Sequence, residues 1–285
     1  LTAFNHGGYY GKAEDFLCTV RHYVEDLNYV PKLLIIGLDT WTLRRGGSEH
    51  PIFPGMRREH LNVERLVRHN PDVNVAKLWM SRLLDTVYAQ QIALSWRLWR
   101  KGAKRTPEAA LGEEGSGFSP AGLRLNYGSL YGDTTKDMFA DVEAGKDVLS
   151  GQLKAISDSG RYREFATLHT YDFDGLAENR VSYIDQMLSI CDAKGIQVVF
   201  VINPVHPTFW DALLAHTSHP DNLRLLNKQI AAWQGPHKSL LGVFDGSELA
   251  SFDGDPTGFF DEIHTATRNC DKLIEKIAQV VRSAK

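Results

Sequence analysis

Residues 259–278 read FFDEIHTATRNCDKLIEKIA and place Asp261 and His264 three apart, just ahead of an apolar-periodic run. A hydroxyl becomes a good nucleophile only with a base in hydrogen-bond reach. An imidazole base in turn needs a carboxylate that fixes its tautomer and stabilises the imidazolium. Loop residues at this spacing can stand side by side above a sheet and supply both groups. The same stretch also suits a plainer role, in which Asp261 or Thr265 caps the final helix and His264 is merely polar. Spacing alone leaves both open.

The elements that must hold such a pair can be read from the apolar pattern. Residues 33–36 (LLII) form a short, uniformly apolar run between Pro31 and Gly37, the signature of a buried parallel strand. IQVVFVINPVHP is the clearest strand in the chain and SLLGVFDGS a weaker third. Between them run amphipathic helices. One carries Ala13, Phe16, Leu17, Val20, Val24 and Leu27; a second carries Val181, Ile184, Leu188 and Cys191 and stops at Gly195; the last carries Leu273, Ile277 and Val281. This alternation predicts an α/β fold built on a doubly wound parallel sheet, with one helix between the second and third strands. Ligands of such sheets bind beyond the carboxyl ends of the strands. Gly37, Asp39, Asn203, His206, Asp261 and His264 all fall at those ends. The pattern is interrupted over 42–170, where a long helix with a basic tail and the Gly/Ser-rich loop GEEGSGFSPAG have little strand character. We read 1–285 as one domain with a long helical insertion there.

A net charge of −3 argues against a general nucleic-acid binder. Charge is uneven, however: residues 42–105 hold thirteen Lys/Arg against five Asp/Glu. This is either a solvated helical face or a surface for anionic lipid or glycan. The helix bearing Trp79, Trp96 and Trp99, followed by Arg100, Lys101, Lys104 and Arg105, fits either core packing or contact with a membrane surface. Cys18, Cys191 and Cys270 are far apart on apolar helix faces and read as buried free thiols. No run of eighteen apolar residues occurs. No His/Asp/Glu set has metal-ligand spacing and no glycine loop has dinucleotide spacing, so neither a metal nor an organic cofactor is expected.

Four stretches together resemble the SGNH (GDSL-like) esterases and acyltransferases, closest to the divergent branch linked to surface-polysaccharide modification. FFDEIHTA and its helix resemble the carboxyl end of that superfamily, and CDAKGIQVVFVINPVHP its proline-flanked loop over the site. LLIIGLDTWTL resembles the strand that carries the third block, a Gly-x-Asn-Asp turn, and FNHGGYYGKAEDF resembles the second block. The resemblance covers 1–41 and 172–283 and implies flavodoxin-like layering. It further implies a carbohydrate or acyl-ester substrate and an extracytoplasmic or membrane-associated setting. His264 would be the general base and Asp261 its orienting partner. Backbone N–H groups near Gly8 would be the oxyanion donors, and Asn5, Asp39, Asn203 and His206 would line the substrate.

Two departures matter. Asp39 stands where the family has an Asn amide, and an ionised carboxylate accepts hydrogen bonds but cannot donate one to an oxyanion. Orienting Arg44 or a substrate hydroxyl, or capping the strand end, are its remaining roles. The family's serine lies on a strand upstream of the second block, which here begins at Asn5. The expectation is therefore a form shortened at its amino end, without its nucleophile and without esterase activity of its own. Ser129, in the turn-rich YGSLYGD, and Ser247, after the last strand, are weak substitutes. The rival readings are a catalytically silent glycan-binding or polysaccharide-assembly scaffold, and an unrelated α/β binding domain in which Asp261 is only a cap.

Overall fold

The structure, a computed structural model, describes residues 12–45, 69, 140–158 and 172–284. Three parallel strands, β1 (Leu33–Gly37), β2 (Gln197–Ile202) and β3 (Leu240–Asp245), lie in the spatial order β1-β2-β3. Around them, in chain order, are α1 (Ala13–Arg21), α2 (Ser150–Asp158), α3 (Glu178–Lys194), α4 (Pro207–His216), α5 (His219–Gln234) and α6 (Thr267–Ser283).

The uniformly apolar run in β2 follows from its central position. Val198, Phe200 and Ile202 face a large core shared with α1, α3 and α5, while Val199 and Val201 meet Ile277 of α6 on the opposite side. Full burial of one such side chain stabilises by about 1.5–3 kcal/mol, so a strand with no polar position is favoured only between two layers. Helices on both faces of a parallel sheet make this an α/β fold. At the end of α3, Gly195 takes the left-handed conformation (φ 67°) and the Ile196 N–H closes onto the Cys191 carbonyl at 2.9 Å. That cap turns the chain straight into β2.

Three local features differ from the sequence expectation. The first helix does not run regularly to Leu27: its last turn, His22–Asp26, widens into a π-turn in which the Leu27 N–H bonds His22 O. His22 Nδ1 lies 2.8 Å from the Asp26 carboxylate across that turn, and Leu27 is left exposed. Two helices rather than one join β2 to β3, because Thr217 is extended and Ser218 bonds Asp172 and Phe173 outside the helix. Finally, neither Asp261 nor Thr265 caps α6. Its first N–H, from Thr267, bonds the Glu143 carboxylate at 3.1 Å, and Thr265 Oγ1 pairs with Cys270 Sγ instead.

None of the three cysteines is in a disulfide; Cys18 and Cys191 are buried and Cys270 is half-buried. The Trp79–Trp96–Trp99 helix and its basic tail lie outside the described residues. Among the described residues no helix is long and apolar enough to cross a membrane.

Candidate functional site

A second apolar cluster sits over the carboxyl ends of the strands. Leu149 and Leu153 join Val205, Phe209, Leu213 and Phe259, with Trp41 and Ile263 packed against them. Phe259 and Ile263 flank Asp261, so the turn that carries the proposed pair is anchored on either side. Its backbone is closed: Phe259 bridges Thr265, and the Phe260 N–H bonds His264 O at 2.7 Å. The turn is also tied to the loop after β2, because the His206 N–H bonds Glu262 O at 2.8 Å.

Within this turn Asp261 does not cap the final helix; it closes the turn and holds the His264 ring. Its Oδ1 accepts the backbone N–H groups of Ile263 (2.9 Å) and His264 (2.7 Å), the self-bonding that makes Asp a turn residue. Its Oδ2 lies 2.6 Å from His264 Nδ1. An ionised carboxylate only accepts, so Nδ1 carries the proton and Nε2 is left with a lone pair. The His264 side chain is 56% exposed, and among the described residues Nε2 has no hydrogen-bond partner. The hydrogen bond to Asp261 raises the imidazole above its ordinary range, against partial burial and with help from the charges of Asp261 and Glu262. Burial pushes the Asp261 carboxyl up, but its bonds to His264 and the turn backbone outweigh this and hold it below the usual carboxylate range. The arrangement is that of a general base with its orienting acid.

Asp39 makes no contact of the kind the sequence suggested with Arg44. It is buried at the end of β1, and both of its oxygens face Asn203 at the end of β2. Oδ1 accepts the Asn203 backbone N–H at 3.0 Å and Oδ2 accepts its Nδ2 at 2.8 Å. Burial raises the Asp39 carboxyl, against these bonds and one from the Trp41 side chain. Every neighbour donates, which suits an ionised carboxylate. Gly37 makes room for the pair, since a Cβ there would stand 3.0 Å from Asn203 Nδ2.

His206 does not stand at the surface, where lining a substrate would need it. It is buried beneath the turn, with its ring edge-on to Phe259 at a centroid distance of 5.4 Å. Nδ1 accepts the Thr208 N–H at 3.2 Å and so caps α4. Nε2 therefore holds the proton and faces the Pro256 carbonyl and, at 3.4 Å, Ser150 Oγ. Burial lowers this imidazole below its ordinary value. A nitrogen that already carries a proton cannot take one from Ser150, so this Ser–His contact is not an activated nucleophile.

Ser150 escaped the sequence reading. The signal for it was Asp147, placed like a cap ahead of Leu149 and Leu153; its Oδ1 accepts the N–H groups of Leu149 (3.2 Å) and Ser150 (2.9 Å). Ser247 is buried and locked to Asp245 through its N–H (3.0 Å) and hydroxyl (2.6 Å), as a turn residue would be. Asn5, Gly8 and Ser129 lie outside the described residues. Among the described residues no group of three or more His, Cys, Asp or Glu could hold a metal ion. The structure thus brings Asp39 against Asn203 and Asp261 against His264, and links the two pairs through the loop 203–206. No known protein family, no curated protein and no solved structure matches the chain.

Proposed function

We propose that this chain carries the base half of an SGNH-like acyl-ester site, that of an esterase or O-acyltransferase acting on acylated carbohydrate. The observation that supports it most is the exposed His264, held by Asp261 at 2.6 Å with Nε2 open, above the carboxyl edge of a parallel sheet. In this reading Nε2 takes the proton of a hydroxyl as that oxygen attacks the acyl carbon. Asp261 stabilises the imidazolium, and the proton passes on to the departing sugar alkoxide. The fold expected with it is the doubly wound, flavodoxin-like sheet of that superfamily.

Neither Ser150 nor Ser247 is poised to be the nucleophile, so hydrolysis by these residues alone is water attack assisted by a base. Serine-esterase turnover of an activated acetyl ester is not expected; what remains is a residual, base-assisted attack by water, with the base worth about 10²–10⁴-fold over background. His264→Ala should return the rate to background, and a fluorophosphonate should label neither serine. Equal rates for the wild-type chain and His264→Ala would sink this reading and favour the silent glycan-binding scaffold.

A further inference from the structure

We propose that neutral His206 is the positioning residue that seats the turn bearing Asp261 and His264 on the end of β2, and that an added proton on its ring unseats that turn. The inference deepens the acyl-ester reading of His264, on which its meaning for catalysis rests; the seating itself is a property of the turn.

One residue grips this loop at both ends. The His206 backbone N–H bonds Glu262 O at 2.8 Å, one position after Asp261, and its ring Nε2 bonds the Pro256 carbonyl at the start of the loop. Between these points Phe259 lies edge-on to the ring at 5.4 Å. On the other side Nδ1 accepts the Thr208 N–H at 3.2 Å and so caps α4. The bond between Asp261 and His264 lies within the turn; the tie from the turn to the loop after β2 runs through His206.

Those contacts admit one protonation state. A backbone N–H only donates and a carbonyl only accepts, so Nδ1 must keep its lone pair and Nε2 its proton. A proton added at Nδ1 would set two donors face to face across 3.2 Å, and the cap on α4 would be lost. His206 is 1% exposed, so water cannot relieve that clash while the ring stays in place. Swinging the charged ring out relieves it, and gives up Pro256 and Phe259 together. From the segment ahead of α2 the ring meets the Ser150 hydroxyl and the charge of Asp147, which favours the imidazolium. From α4 it meets the Thr208 N–H, and from the turn the Pro256 carbonyl and Phe259; the charged pair of the turn, Asp261 and His264, is bonded to itself. Burial outweighs Asp147 and the Pro256 bond and lowers the imidazole below its ordinary value. Seating is therefore full above the ordinary histidine value, and is lost as pH falls from there toward the lower value of the seated ring.

The two histidines thus take up protons in order. His264, raised by Asp261, is charged first and stops being a base. His206 follows at lower pH and frees the turn from the strand end. Acid acts in two stages, and recovery of the site requires both protons to leave.

The test is a pH titration of the isotope-labelled chain by NMR, following both rings and the Thr208 amide. The His264 ring should show its own transition above the ordinary histidine value. A second should follow below it, sharing its midpoint with the His206 ring and the Thr208 amide. Asp147→Asn keeps an oxygen for the Leu149 and Ser150 N–H groups but removes the charge that favours the imidazolium. It should lower the His206 midpoint and carry the second His264 transition down with it. His206→Asn keeps an acceptor for the Thr208 N–H, since Asn is a strong N-cap, but does not titrate. There the second transition should vanish. The Phe260 amide, bonded to His264 O, should also exchange about three- to tenfold faster at neutral pH, the weight of one hydrogen bond. A His206 ring that stays neutral until the chain unfolds, or that titrates without any change at the His264 ring, overturns the inference. So does a second His264 transition that stays in place in Asp147→Asn or survives in His206→Asn. The seating is read without substrate, whereas the acyl-ester reading stands or falls on the ester rates of wild type and His264→Ala, so the two fail separately.

Discussion

Replacing Asp261 with Asn removes one charge and leaves the turn intact, so it isolates what the carboxylate does for His264. The Asn side-chain oxygen can still accept from Ile263 and His264, as Oδ1 does now at 2.9 and 2.7 Å. At the other atom an NH₂ would face His264 Nδ1, and the ring must then move its proton to Nε2 to accept from it. The base loses its outward lone pair. For unit charges 2.6 Å apart, Coulomb's law gives about 1.6 kcal/mol in water and about 6 kcal/mol at an effective dielectric of 20. The side chains are 40% and 56% exposed, so solvent screening puts the coupling near the lower figure, about 1–2 kcal/mol. That is a roughly 5- to 30-fold fall in the ratio of protonated to neutral imidazole at a given pH. NMR titration of the His264 ring reads it directly. His264 is raised in the folded chain, so the stability its pairing contributes is complete below the ordinary histidine value and is lost as pH rises through the folded one. The difference in stability between wild type and Asp261→Asn should shrink over that interval. A His264 titration curve unchanged by Asp261→Asn would refute the reasoning.

Two predictions concern the scaffold. His237 bridges Asp192 (2.7 Å) and Asp185 (3.0 Å) through both ring nitrogens; burial lowers it, but these two carboxylates outweigh burial and raise it. The same sign applies, so the thermal midpoint should exceed that of His237→Gln at mildly acidic pH, by about 2–4 °C for each kcal/mol of coupling. The two should converge as pH rises through the folded value; a gap independent of pH would show that the bridge is not ionic. Arg180 meets Glu14 at 3.2 Å in a buried pair and also bonds the Arg44 carbonyl at 2.6 Å. Arg180→Met should cost about 3–5 kcal/mol in urea unfolding, and Glu14→Leu added to it should recover much of the loss. A loss below about 1 kcal/mol would mean that the pair is already wet.

The sequence by itself determined the features whose cause is local. A five-residue apolar run has to lie between two layers, a glycine after a helix stripe has to end it, and an Asp three before a His can both close a turn and hold a ring. β2, the Gly195 cap and the Asp261–His264 bond were legible for that reason. Tertiary structure decided the rest, because the deciding contacts join residues far apart in the chain. Asp39 and Asn203 are separated by 164 positions and meet only because β1 and β2 are neighbours in register. Nothing near His206 in sequence says that Phe259 and Ser150 will enclose it, fix its tautomer and remove it from the solvent. Thr267 takes its cap from Glu143, 124 positions away, so the competing cap assignments for Asp261 and Thr265 could not be settled within the turn. A side chain's chemistry is set by which donors and acceptors surround it, and pattern along the chain specifies those only within a few residues.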